Sequence, residues 1–101
     1  MLHVIASIHI NEGRMADALE IYQPFVPEVL AEKGCIMYCP TTDVETAVAT
    51  QEKDGSIITV VEQWADMESF LAHLSAPHVL RFREQMKGIL DRVSIKVLKA
   101  V

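Results

Sequence analysis

The chain has 101 residues, half of them hydrophobic, with 9 Lys+Arg against 14 Asp+Glu and a formal net charge of −5. That length makes a single domain, 1–101, with a thin margin of buried surface that self-association would widen. An acidic chain gains nothing from phosphate neutralisation, so nucleic acid is not an expected partner. No apolar run approaches the ~20 residues that span a bilayer, so no membrane partner is expected either. The opening Met1-Leu2-His3-Val4-Ile5-Ala6 carries no basic leader and soon meets Asn11-Glu12, which is unlike a signal peptide. A cytoplasmic protein is the expectation.

Residues 2–10, LHVIASIHI, alternate and predict a strand. Leu2, Val4, Ala6, Ile8 and Ile10 share one face, and His3, Ile5, Ser7 and His9 the other. Asn11-Glu12-Gly13 is a turn in which Asn11 is placed to cap a following helix. Residues 14–33 carry helical spacing through Met15, Leu19, Tyr22, Phe25 or Val26, Val29 and Leu30. Pro24 and Pro27 each remove a backbone donor, so a kink or break is expected near 23–27. Gly34 stands where a terminator belongs. Residues 35–41 predict a strand that stops at Pro40, residues 45–51 another, and Asp54-Gly55 a hairpin turn into the strongest strand, 56–64. Cys35 and Cys39, four apart on a strand, would share a face ~13 Å apart, too far for a bridge, and are expected as buried free thiols. They have no neighbours that complete a zinc spacing.

Asp66 predicts a cap for a helix running to about Leu74, without the Glu of a full capping box. Pro77 suits the first turn of a second helical segment, 77–90. Residues 92–99 alternate into a last strand. Arg81, Arg83, Lys87, Arg92, Lys96 and Lys99 are interleaved with acids and apolar residues, as on a solvated face. The element order reads β-α-β-β-α-β, the pattern of an α+β ferredoxin-like fold with helices on one face of an antiparallel sheet. The strand 56–64 is apolar on both sides: Ile57, Thr59 and Val61 on one, Ile58, Val60 and Trp64 on the other. Helices cover only one side, so a second copy is expected on the other, two sheets facing each other as a dimeric α+β barrel.

The residues able to do chemistry cluster late in the chain. His78 shares a stripe with Leu74 and Phe82; it is either a general base near neutral pH or a core histidine with one hydrogen bond. His73 lies at the edge of the stripe of Met67, Leu71 and Leu74, where it either lines a cavity or meets solvent. Trp64 is a stacking wall for a planar ligand, a plug between sheet and helix, or both. Glu62 shares its face; a carboxylate there needs a raised pKa or a partner, either an imidazole that it orients or an Arg or Lys on a neighbouring strand. Tyr38, His3, Ser7 and His9 are weaker candidates. No glycine-rich phosphate loop, nucleophile elbow or His-Glu-x-x-His occurs, so nicotinamide and ATP are not expected.

Met1-Leu2-x-Val4-Ile5-Ala6, Val26-Pro27-x-Val29-Leu30 with Glu32-x-Gly34-Cys35, Glu62-Gln63-Trp64 and Ala72-His73-Leu74-x-x-Pro77-His78 resemble the antibiotic biosynthesis monooxygenase (ABM) superfamily, nearly end to end. Within it the chain most resembles the small bacterial quinol monooxygenases. The resemblance implies a homodimeric α+β barrel that oxygenates a reduced quinol-like or polycyclic aromatic with dioxygen, with no metal and no flavin or haem cofactor. It implies His73 or His78 as base, Trp64 as wall and Tyr38 as hydrogen-bond donor; Glu62 and Phe82 are further candidate substrate contacts. Haem-degrading relatives use an Asn on the first strand and a His on the last long helix; here Ile8 and Arg83 stand near those places. Relatives that isomerise phosphorylated signalling sugars would want a basic cleft. A non-catalytic dimeric ligand-binding or stress-related module of the same fold is the other alternative.

Overall fold

A computed structural model describes residues 1–101. Four strands and three helices follow in the order β1 (Leu2–Ile10), α1 (Met15–Leu30), β2 (Cys35–Thr41), β3 (Ile57–Trp64), α2 (Met67–Leu74), α3 (Pro77–Gln85) and β4 (Leu90–Leu98). The sheet order is β2-β3-β1-β4 and every neighbouring pair is antiparallel. This is the expected ferredoxin-like sheet with helices on one face. The second helical stretch is split in two at Ser75-Ala76, with Pro77 opening α3. Asp66 caps α2, accepting the Ser69 backbone N–H at 2.8 Å. That bond, joined by the Ser69 side chain, holds the Asp66 carboxyl below its ordinary value.

Strand alternation decides what faces the helices. Val4, Ala6, Ile8 and Ile10 of β1 are buried there, as are Ile58, Val60, Glu62 and Trp64 of β3. From α1 the buried stripe is Ala18, Tyr22, Phe25 and Val29, whereas Leu19 and Leu30, expected inside, are exposed. α1 is unbroken through Pro24 and Pro27, contrary to the expected break. Both prolines lie on its exposed side, and so do Glu20 and Gln23, whose carbonyls lose their partners. On that side the freed carbonyls are open to solvent, which can satisfy them, and the helix continues.

Other expectations are corrected. Asn11 does not cap α1, since Arg14 holds that position without a side-chain bond; Asn11 instead donates to the Gly88 carbonyl at 3.2 Å. Residues 45–51 form no strand. The segment 42–56 instead turns on polar bonds, among them the Asp54 backbone N–H to Asp43 and Ser56 to Asp54. It reaches the helix-free face of the sheet, where Asp43, Glu52 and Lys53 border a polar hollow with Ser7, Ile57 and Thr59. Part of that second face is therefore covered by the chain itself. α3 ends at Gln85 because β4 is recruited early: the Asn11 N–H bonds the Ile89 carbonyl and Leu90 pairs with Ile10.

β2 holds the most consequential irregularity. Cys35 pairs with Trp64 but Met37 with Gln63, so Ile36 is an extra residue in a bulge. The bulge reverses the alternation. Cys35 stays on the helix side, Cys39 turns to the opposite side, and Tyr38 turns inward opposite Glu62. The two thiols do not share a face, and neither is buried: Cys35 is half-buried and Cys39 exposed. Beyond α1, Gly34 has φ +82 and its carbonyl accepts the Ala65 N–H at 2.8 Å. A Cβ on Gly34 would lie 2.2 Å from the Ser69 Oγ, so only glycine fits this crossing of chain and helix.

The helices do not cover the whole inner face. Val93, Ile95 and Val97 of β4 lie on that side, beside Ile8, Ala6 and Val4, yet are 43–46% exposed. The core sits under β1, β2 and β3, and its open edge lies at β4.

Candidate active site

Between sheet and helices lies a cavity of about 210 Å³ lined by 15 residues, 12 of them hydrophobic. Ala6, Ile8 and Val60 make its floor and Phe25, Val79 and Met86 part of its roof; Leu90 and Val93 stand at the β4 edge. The groups with polar atoms are Tyr22, Tyr38, Glu62, His73 and Arg83. Aromatic rings brace the wall: Phe25 stacks on Phe82 at 4.1 Å between centroids, and Tyr22 lies 4.8 Å from Phe82.

Of the residues singled out in the sequence, His73, Tyr38, Glu62 and Phe82 all line this cavity. Two expectations are corrected. Trp64 is not part of the lining: it is fully buried behind Glu62 and His73, its ring centroid 4.8 Å from the His73 ring. Its position is that of the plug between sheet and helix rather than of a wall. Glu62 has no Arg or Lys partner; its Oε1 accepts the Trp64 indole N–H at 3.0 Å. His78 also lies outside the lining, with a side chain 18% exposed. His3, Ser7 and His9 face the other side of the sheet.

The residue that local sequence reasoning left without a role is Glu32. It sits in the turn that closes α1, and its Oε2 lies 2.7 Å from both the His73 Nδ1 and the His78 Nε2. A carboxylate only accepts hydrogen bonds, so each contact requires that ring nitrogen to carry its proton. Neutral His73 is thereby held as the Nδ1–H tautomer. Its Nε2, which has no protein partner, keeps the lone pair on a ring that lines the cavity. Burial lowers the His73 pKa, and the Glu32 hydrogen bond and charge offset part of that. The ring is therefore a neutral base at neutral pH, with a carboxylate behind it to stabilise the imidazolium once formed. The three donor atoms lie within 4.8 Å of one another and match a two-histidine, one-carboxylate set. In the present geometry the two imidazole nitrogens and the shared carboxylate oxygen satisfy one another by hydrogen bonds. Sequence separations of 41 and 46 residues hid this grouping.

Burial dominates the remaining electrostatics. Glu62 is 5% exposed and its pKa is pushed up to about 7, chiefly by desolvation; the Trp64 bond works against that rise and the Glu32 charge adds to it. Desolvation also lifts the hydroxyls of Tyr22 and Tyr38 well above the ordinary phenol range, so both stay protonated donors. Cys35 is pushed up to about 11 by burial and the charges of Glu32 and Glu62, which makes it a poor nucleophile.

A ferredoxin-like domain with an apolar cavity, a carboxylate-oriented imidazole and protonated phenols defines a class suited to proton abstraction from a small, largely apolar molecule. The chain belongs to the antibiotic biosynthesis monooxygenase family, whose profile matches residues 1–85. It is 34% identical over 101 residues to the Escherichia coli (strain K12) protein named "Probable quinol monooxygenase YgiN", covering 98% of this chain and 97% of that one. Among solved structures it is similar to PA3566 from Pseudomonas aeruginosa, with a TM-score of 0.82 at 26% identity over 99% of this chain and 93% of that one. Rv0793 from Mycobacterium tuberculosis shares the fold, with a TM-score of 0.80 at 22% identity over 99% and 94%. Family and relative together support a monooxygenase-type function.

Proposed function

We propose that the protein is a cofactor-independent monooxygenase of small quinol-like aromatics, with His73 as the base. The observation that carries this reading is the Glu32–His73 pair at the wall of an apolar cavity. A quinol supplies its own electrons. Transfer of its hydroxyl proton to the His73 Nε2 leaves a phenolate in a cavity of low polarity, where its charge is poorly solvated and its electrons are high in energy. Dioxygen is the acceptor. One oxygen atom enters the ring and the other leaves as water, so quinol plus dioxygen gives hydroxyquinone plus water. Tyr38 and Tyr22, held protonated, are donors for the oxygens of the bound ring.

The cavity, about 210 Å³, falls below the range of about 300–1,000 Å³ for drug-sized ligands, which favours one- or two-ring substrates over polycyclic ones. It also weighs against a phosphorylated sugar, because Arg83 is the only cation in its lining. His78 serves in this reading as the second hydrogen-bond donor that fixes Glu32, and not as the base. The name of the Escherichia coli relative points to the same substrate class. Oxygen uptake with a reduced naphthoquinol tests the proposal, with His73→Ala and protein-free solution as controls.

The working unit proposed is a homodimer. The helix-free face carries Ile5, Val61 and Ile57 half-exposed, and on the opposite, helix side the β4 edge leaves Val93, Ile95 and Val97 uncovered. Val61→Glu should then shift the species seen in sedimentation velocity from dimer to monomer.

A further inference from the structure

Glu62 is the one buried carboxylate of the cavity that the base mechanism leaves unused. It lines the space that His73 lines, is 95% withdrawn from solvent, and has no salt-bridge partner. Its Oε1 is fixed by the Trp64 indole; Oε2 makes no hydrogen bond to the protein. An ionisable group kept in apolar surroundings without a cation is costly, and such groups concentrate where proton transfer is needed. The indole N–H does not exchange roles with its partner, so it orients the carboxyl without relaying its proton. The titratable groups coupled to Glu62 are Tyr22 from α1, Cys35 and Tyr38 from β2 and Glu32 beyond α1; His73 from α2 and Arg83 from α3 share its cavity without an ion pair to it.

We propose that Glu62 is a second catalytic proton acceptor, taking the proton of the substrate hydroxyl that His73 does not take; this rests on the quinol reading above. A quinol has two O–H bonds to break, and a single neutral imidazole accepts one proton. In the oxidation stage one proton goes to the His73 Nε2 and the other to the Glu62 Oε2, while two electrons pass to dioxygen. The peroxide so formed recovers both protons. Its addition to the quinone ring, with loss of water, completes the oxygenation and returns both groups to their starting state.

Glu62→Gln tests this, because the amide oxygen still accepts the Trp64 N–H but does not take a proton. With wild-type oxygen uptake from reduced naphthoquinol above the protein-free rate, the variant is expected to lose ~100-fold in rate. It should still bind oxidised naphthoquinone within about twofold of wild type, and it should lack the limb near pH 7 in kcat/KM. Uptake within about threefold of wild type with that limb retained would overturn the role of Glu62 and leave the quinol reading standing. Loss of naphthoquinone binding in proportion to rate would make Glu62 a binding group and also overturn it. Wild-type uptake equal to the protein-free rate overturns the quinol reading, and the second acceptor with it.

Discussion

The buried Glu62 carboxyl makes stability depend on pH in a direction that a substitution exposes. Its pKa is about 7 in the folded chain against 4.5 when unperturbed, a rise of about 2.5 units. Below pH 4.5 the group is protonated in both states and costs nothing. As pH rises through 4.5 to 7 the unfolded chain ionises first, and the folded state loses stability relative to it. Above pH 7 the loss is complete, at about 3 kcal/mol from ~1.36 kcal/mol per unit. Glu62→Gln is neutral throughout and retains the Trp64 hydrogen bond, so it should escape that loss. Urea unfolding of both proteins from pH 4 to pH 8 isolates the effect, because all other titrating groups are common to the pair. The variant is expected to gain about 3 kcal/mol over wild type between the two ends, or roughly 4–8 °C in Tm per kcal/mol. A difference that is flat with pH, or that favours wild type above pH 7, would refute the desolvation argument.

The remaining predictions concern the base and the crossing at Gly34. His73→Ala should lower oxygen uptake by ~100-fold or more, whereas His78→Ala, which only loosens Glu32, should cost ~10-fold or less in the same assay. Glu32→Gln frees the His73 tautomer and should cost ~100-fold in kcat, with bound naphthoquinone affinity little changed. Gly34→Ala meets both a positive φ and the Ser69 side chain, and should lower unfolding free energy by more than ~2 kcal/mol in urea; Ser69→Gly in the same chain should recover only the steric part.

The architecture was legible because its signals are local. Period-two runs gave β1 and β3 with their inward faces, Asp66 gave the start of α2, and Pro77 the start of α3. The failures have physical causes that local reading does not see. Pro24 and Pro27 carry a breaker's local signal, but they lie on a solvent-facing side of α1, where water can take the place of the lost backbone bonds. Residues 45–51 have strand-like composition but pair with nothing. The bulge at Ile36 reversed the alternation of β2, so that the cysteines parted and Tyr38 entered the cavity. At the site, His73, Tyr38, Glu62 and Phe82 were identified from their residue types and stripes or from the family resemblance. Trp64 was misplaced because aromatic character does not distinguish a wall from the plug behind it. Glu32 stands in the motif Glu32-x-Gly34-Cys35, but with no role attached: its meaning comes from the fold, which brings the turn after α1 against α2 and α3.

Oxygen uptake by chelator-treated protein with reduced naphthoquinol, set beside the His73→Ala variant, bears most directly on the central claim. The Glu32–His73 base predicts uptake well above the protein-free rate in wild type and a fall of ~100-fold or more in the variant. Equal rates in wild type, variant and buffer would contradict it.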